Sequence, residues 1–487
     1  MTASVVVVSC ETRDLEPMPP GLFREVLGRK LGAGHRLVTL FGRRQGDQVV
    51  VTAATREADL APSLIRAHLP AQSTFDSLTR DHPAAGCFER ELHEQTGVAI
   101  GGHPWLKPIR FAGNHPSSMD AYPFYQVVGK EVHEVAVGPI HAGVIEPGAF
   151  RFMCLGEQVH HLEIHLGYQH RGVEQRLLER DPRALGPLVE TIAGDSSIAN
   201  AWAYAAAIEA LSGVQADAQI DVARAILLEL ERIAMHLASL AGLAADIGFL
   251  QGASTYGRLR TTAINTTMRL SGSRFGRGAI RPGGVVARLA QEAVSDAITV
   301  LQRDLPIIDE CFLGALSVQH RLRDVGRLTS AQARELGLVG LAARASGLAV
   351  DLRHAPEGGV YRDIPVSVAT HADGDCWARA CVRVAESGAS LEWLAKATGR
   401  HPAWDHPRSA CGPLAPGRVV LTAVEGFRGE VVHCIETDER GALLHYKVQD
   451  PSLRNWMGLA IAVRGEEISD FPICNKSFDL SYCGNDL

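Results

Sequence analysis

The stretch VARAILLELERIAMHLASLAGLAADIGF, residues 222–249, decides how the rest of the chain is read. Apolar side chains recur at Ile226, Leu230, Ile233, Leu237, Leu240, Ala244 and Ile247, alternately four and three residues apart, so they line one face of a long helix. A helix of that length needs other helices to bury its stripe, which makes the middle third of the chain a bundle. Glu229, Arg232 and His236 share a different face, and their spacing reads as a solvated or interface ion pair.

The text changes on either side of this helix. Upstream, HLEIHL (161–166) alternates His161, Glu163 and His165 with Leu162, Ile164 and Leu166, the period of a half-buried strand. Its histidines and glutamate read as an exposed polar face rather than a metal site. Residues 1 to 112 mix short apolar runs with a helix around Gly21–Leu31, the texture of a small α/β unit. The segment AGNHPSSMDAYPFYQ (112–126) is an irregular connector, which puts a boundary near 113–137. Downstream, Arg277 and Arg281 fall in Gly/Pro-punctuated loop, and GRVVLTAVEG (417–426) and GEVVHCIETDERGALLHYKVQD (429–450) return to strand, with a turn near Asp438–Gly441. The expected fold is α+β: a small N-terminal α/β domain (1–130) before a large, mainly helical domain (138–487) with peripheral strands.

Several classes of function are excluded early. A net charge of −7, with no basic stripe interleaved with aromatics, argues against nucleic acid as a partner. No apolar run is long enough to span a bilayer, and MTASVVVVSCETRD has no positive leading segment, so a cytoplasmic protein is expected. The ten cysteines are scattered and form no CxxC pair, so an iron-sulfur cluster or zinc site of the chain's own is not expected.

The corner ETIAGDSSIANAWAY (190–204) poses the chemical question. Asp195 or Ser196 reads as the cap of a helix through Ala199–Leu211. A nucleophilic Ser196 or Ser197 would need a histidine base, and none is near in sequence.

An ordered set of motifs then resembles a known family. FERELHEQTGVAIGGHPWL (88–106) is similar to the small α/β subunit that docks onto the large subunit in complex I and membrane-bound hydrogenases. GPIHAGVIEPGAFRF (138–152), HLGYQHRGVE (165–174), LLELERIAMH (227–236), GRGAIRPGGV (276–285), ARASGLAVDLR (343–353), EGFRGE (425–430) and DPSLRNWMGLAIAVRG (450–465) together resemble the large subunit of energy-converting nickel-iron hydrogenases and its complex I counterpart. The two in one chain resemble the fused arrangement of the formate-hydrogenlyase type. The resemblance implies four metal-binding thiolates, and those positions fall on Ala193, Ser196, Ser481 and Gly484, none of which carries sulfur. Cys483 lies one residue out of register. The histidine and tyrosine that complex I presents to quinone fall on Ile145 and Gly194. His141, Glu146 and Arg428 do match the family's pocket residues, and the resemblance marks them as the candidate catalytic set, Glu146 as a desolvated proton relay and His141 beside it.

The implied protein is the peripheral arm of a membrane complex on the cytoplasmic face. Its expected partners are an iron-sulfur small subunit, which supplies the cluster this chain lacks, and antiporter-like membrane subunits. The implied function is NADH-quinone oxidoreductase-like or hydrogenase-like electron transfer to a quinone or other acceptor, driving ion movement. The rival is a non-catalytic scaffold or coupling subunit.

Overall fold

The computed structural model describes residues 5–57, 60–111, 121–143, 145–286, 291–355, 359–400 and 409–487. The fold is α+β, as expected. Part of the connector, 112–120, lies outside the described residues.

A small unit is built on an antiparallel sheet of Arg36–Gln45, Gln48–Arg56 and Ser63–Pro70, with Pro17–Met18 added in parallel at one edge. Helices Pro20–Gly32 and Gly86–Thr96 cover it, burying Phe23, Leu27, Phe88 and Leu92 against Leu40, Val49 and Ala67. The preceding strand, Val6–Glu11, pairs instead with Arg418–Glu425 and becomes the edge of a four-stranded antiparallel sheet with Glu430–Thr437 and Leu443–Gln449. The unit is held to that sheet by ion pairs at its inner surface. Arg36 meets Glu430 at 2.9 Å, Arg66 meets Glu436 at 3.1 Å and Lys447 meets Glu91 at 2.6 Å.

The long helix spans Ala218–Asp246, and its apolar stripe is buried as the periodicity predicts. Leu250–Ser271, Gln291–Gly314 and Cys376–Arg400 complete the surrounding bundle. The second face of the helix is not solvated: Glu229, Arg232 and His236 are each 0% exposed. They belong to a buried network. Arg353 donates to Asp351 at 2.7 Å and to Glu229 at 3.3 Å, and Tyr361 and Ser390 also donate to Glu229. Arg344 bridges Glu386 at 2.6 Å and Glu425 at 2.7 Å. His236 lies 2.8 Å from Glu386 through Nε2, while its Nδ1 faces the Arg383 guanidinium at 3.3 Å. Burial pushes His236 down to about 4, against the pull of Glu386, so it is neutral with its proton on Nε2. Of the two readings, a solvated or an interface ion pair, the solvated one is therefore corrected. Periodicity identified the face, but nothing local in sequence revealed that Cys376–Arg400 and the 351–355 turn cover it.

The HLEIHL strand is present as Gln158–His165, paired with Ala149–Leu155. Its polar face is not exposed either. Glu163 is buried, paired with Lys107 at 2.6 Å and accepting from the Tyr125 amide, and His165 stacks on Tyr122 at 4.1 Å. The small unit's last segment lies over the face that the alternation assigns to water. Arg281 also departs from loop, in the two-residue strand Ile280–Arg281.

Removing one partner from a buried ion network leaves the other charge uncompensated. Arg353→Met, which strands Glu229 and Asp351, is expected to cost about 3–5 kcal/mol. Chemical unfolding should read this as a lower midpoint, whereas Arg183→Ala, which breaks the exposed pair with Asp181, should leave the midpoint unchanged.

Candidate functional site

Three distant segments meet beside the bundle: the corner 193–197, the turn 425–430 and the tail 479–486. The turn is set by close backbone packing. A side chain at Gly340 would meet the Arg428 carbonyl at 2.0 Å, and Gly340 has φ +60°, so only glycine lets the helix Gly340–Ala345 seat against the turn. That contact aims Arg428 at the corner. Its guanidinium donates in a two-pronged fork to Asp195 at 2.7 and 2.6 Å, and its Nε donates to the Asp479 carbonyl. Burial works against the Arg428 charge, yet the Asp195 carboxylate outweighs it and holds the pKa above the ordinary arginine value. Asp479 accepts from Ser239, and Arg428 and Arg383 offset its burial and hold it below the usual carboxylate range.

The four positions Ala193, Ser196, Ser481 and Gly484 lie around this junction, buried and closed. Ser481 Oγ accepts from the Gly484 amide at 2.9 Å and caps the short helix Tyr482–Asp486. A Cβ at Gly484 would stand 2.5 Å from Asp450 Oδ2, so a side chain there would force the Asp450 carboxylate to move. None of the four offers a thiolate. Cys483 is a single thiol, one residue away from Gly484, and burial and the Glu146 carboxylate push it up to about 12. Among the described residues, no three His, Cys, Asp or Glu side chains gather as a metal-holding group.

Glu146 points back into the same junction, where it accepts from the amides of Tyr482 at 3.0 Å and Cys483 at 3.4 Å. His141 Nε2 lies 2.7 Å from the Gly148 carbonyl, across its own loop. The structure thus brings Arg428, Ser481, Gly484 and Glu146 together, and makes Asp195, not Glu146, the partner of Arg428.

The expected helix cap differs too. The helix runs Ser197–Ser212, but neither Asp195 nor Ser196 caps it through its side chain. Glu231, from the long helix, accepts from the Ile198 amide at 2.8 Å and the Ala199 amide at 3.2 Å. Burial pushes Glu231 up to about 8, so it is protonated at neutral pH. A cap 33 residues away in sequence leaves no local signature.

A cleft of about 350 Å³ opens outside the closed junction, over Gly194, Asp195 and Asp479. Arg260, Arg277 and Lys476 line it with Met235 and Phe275, and the buried Nε of Arg260 has no partner. Sequence reading placed Arg277 in a loop and singled out neither Arg260 nor Lys476. They come from three separate elements, so no spacing joins them.

Comparison with known proteins agrees with this architecture. The model of the respiratory-chain NADH dehydrogenase 49 kDa subunit matches residues 246–413. Membrane-bound hydrogenase subunit alpha of Pyrococcus furiosus is 28% identical over 71% of this chain and 85% of its own. Hydrogenase-4 component G of Escherichia coli is 27% identical over 92% of this chain and 83% of its own. The C/D subunit of NADH-quinone oxidoreductase from Phocaeicola vulgatus is 28% identical over 74% of this chain and 76% of its own. In fold, the chain is similar to one from the membrane-bound sulfane sulfur reductase, an archaeal respiratory membrane complex, with TM-score 0.69 and 21% identity, covering 74% of this chain and all of that one.

Two outcomes test the junction. A carboxyl whose folded pKa is raised gives most stability below its unfolded value and loses it as pH rises through the folded one, so wild type should weaken between about pH 5 and 8. Glu231→Gln keeps an acceptor without the charge and should flatten that slope in pH-dependent unfolding. Gly484→Ala forces contact with Asp450 and is expected to cost about 1–3 kcal/mol, measured by the shift in denaturation midpoint.

Proposed function

We propose that this chain, which is similar to large subunits of the hydrogenase and complex I type, passes electrons without a nickel-iron centre. Electrons from a partner subunit's iron-sulfur cluster reach a quinone or other small acceptor in the cleft over Asp195 and Asp479, and the reaction drives ion translocation through antiporter-like membrane partners. The subunit sits as a peripheral arm on the cytoplasmic face. Among the described residues no helix is long and apolar enough to cross a membrane, so contact with the bilayer runs through partners.

The observation that carries this reading is the two-pronged Arg428–Asp195 pair beside a closed set of four positions. Chemistry has moved outward, to the cleft. There Arg428, Arg383 and Lys476 hold the Asp479 carboxylate charged and Arg428 pairs with Asp195, so with Arg260 and Arg277 the cations outnumber the two carboxylates of the floor and face negative charge that develops on an acceptor oxygen as it is reduced. Met235 and Phe275 supply the apolar wall for a ring. Arg428 fixes the floor. Glu146 and His141 act as positioning residues, one tying loop 138–148 to the tail and the other closing that loop on itself.

The closed junction also favours a second reading, a non-catalytic coupling subunit. The purified complex separates the two. Iron with acid-labile sulfide but no nickel, together with reduction of a soluble quinone, is expected. Lys476→Gln with Arg277→Gln should then lower the quinone rate about tenfold or more at unchanged cluster content. Stoichiometric nickel would overturn the reading. Intact clusters with no quinone turnover would leave the coupling subunit.

A further inference from the structure

A second reactive cluster lies away from the cleft, where the helix Cys376–Arg400 begins against the tail helix Phe471–Phe478. The Cys376 and Cys474 sulfurs stand 3.9 Å apart, and both residues are fully buried. Arg379, one turn along the same helix, donates through Nη2 to the Cys376 sulfur at 3.3 Å, and its Nε donates to Ser477 Oγ at 2.8 Å.

The two sulfurs are not equivalent. Cys376 accepts from a guanidinium and sits at a helix N-terminus, and both favour its thiolate. Burial pushes its thiol up, as it pushes Cys87 to about 11, but the Cys474 contact and the Arg379 charge outweigh burial and hold Cys376 below the ordinary thiol value. Cys474 moves the other way, because its hydrogen bond to Cys376 and its own burial keep its proton in place. A nucleophilic thiolate therefore touches a second thiol, the arrangement of a redox-active pair.

The cover over the pair is thin. Gly326 packs on it so closely that a Cβ there would stand 2.6 Å from the Cys474 sulfur and 3.5 Å from that of Cys376, while Arg323, Asp324 and Arg327 of the same turn are exposed. On that side one turn of chain separates the sulfurs from solvent.

We infer that Cys376 and Cys474 form a reversible oxidation site, at which a hydroperoxide entering through local opening of the 323–327 turn joins them as a disulfide. The Cys376 thiolate attacks one oxygen of hydrogen peroxide, the O–O bond breaks, hydroxide leaves and Cys376 becomes a sulfenic acid. Cys474 then gives up its proton and attacks the Cys376 sulfur, the S–O bond breaks and a second hydroxide leaves. The protons lost by the two thiols turn both hydroxides into water, so the pair is oxidised by two electrons and one peroxide is reduced to two waters. A small thiol reverses the step by exchange. Closure draws the sulfurs from 3.9 Å to about 2 Å and fastens the helix Phe471–Phe478 to the start of Cys376–Arg400. A soft metal ion is a poorer occupant, since Arg379 sets a positive charge against the same sulfur. The inference is independent of the electron-transfer reading, because neither cysteine nor Arg379 lines the cleft.

Titration of the folded full-length chain with hydrogen peroxide, followed by capture of free thiols with N-ethylmaleimide and peptide mass spectrometry, tests it. A Cys376–Cys474 cross-link is expected in most chains at peroxide levels that leave the buried Cys154 and Cys434 as thiols, and dithiothreitol should remove it. In urea the two cysteines are 98 positions apart on an unfolded chain, and the preference for this pair should be lost. Cys474→Ser removes the second thiol and should leave a sulfenic acid on Cys376 that dimedone traps, whereas Cys376→Ser should leave Cys474 unlabelled. Recovery of Cys376 and Cys474 as free thiols from a folded chain whose exposed Cys311 is fully oxidised would overturn the inference. Dimedone on Cys474 in place of Cys376, or an equal yield of the cross-link from the unfolded chain, would overturn it as well.

Discussion

The rest of the structure depends on one constraint: four arginines and four carboxylates share a volume buried away from bulk solvent. Arg232, Arg344, Arg353 and Arg383 face Glu229, Asp351, Glu386 and Glu425, and each is fully buried or nearly so. A charge in such a place is tolerable only with its partners at hydrogen-bond distance. The partners come from the long helix, Cys376–Arg400, the helix Gly340–Ala345, the 351–355 turn and the strand Arg418–Glu425. No two of these elements can slide without stranding an ion. The network thus fixes register where apolar packing alone would accept several arrangements.

That fixed register is transmitted to the candidate site. Arg383 donates to the carbonyls of Ser477 and Phe478, immediately before the Asp479 that receives Arg428. Strand Arg418–Glu425 ends in the turn that carries Arg428 itself. Arg428 then ties three segments at once, doing with a fork of hydrogen bonds what a shared ligand would do through coordination. Its partner Asp195 keeps 35% of its side chain exposed, so one side of the pair still faces the cleft.

What was legible in the sequence follows from what each signal encodes. The period of residues 222–249 encodes a face, and the helix was found with its stripe intact. It does not encode what lies opposite, so Glu229, Arg232 and His236 read as a solvated or interface pair when they are the centre of the bundle. The same holds for His161, Glu163 and His165, where alternation gave the strand and the covering residues 105–111 and 121–125 were invisible. Missing thiols at Ala193, Ser196, Ser481 and Gly484 could be read from letters and motif order. That Asp450 stands where a side chain at 484 would go could not. Nor could Glu231 as a helix cap, because a cap supplied from another helix leaves no spacing to find.

The strand Val6–Glu11 carries a consequence for biosynthesis. Its partner, Arg418–Glu425, leaves the ribosome some four hundred residues later, a wait of roughly 20–80 s at about 5–20 residues per second. Throughout that time an apolar, β-branched VVVSCE edge has no ladder to join, and it resembles the segments that pair with other chains. The four-stranded sheet closes only once Gln449 has been made, although it contains the early strand Val6–Glu11. The small unit, which docks on that sheet through Arg36 and Arg66, must complete its own core before its dock exists. Folding of this chain is therefore gated by its far end, and premature termination anywhere before residue 425 releases a small unit with a hydrophobic strand and two arginines prepared for a surface that never arrives.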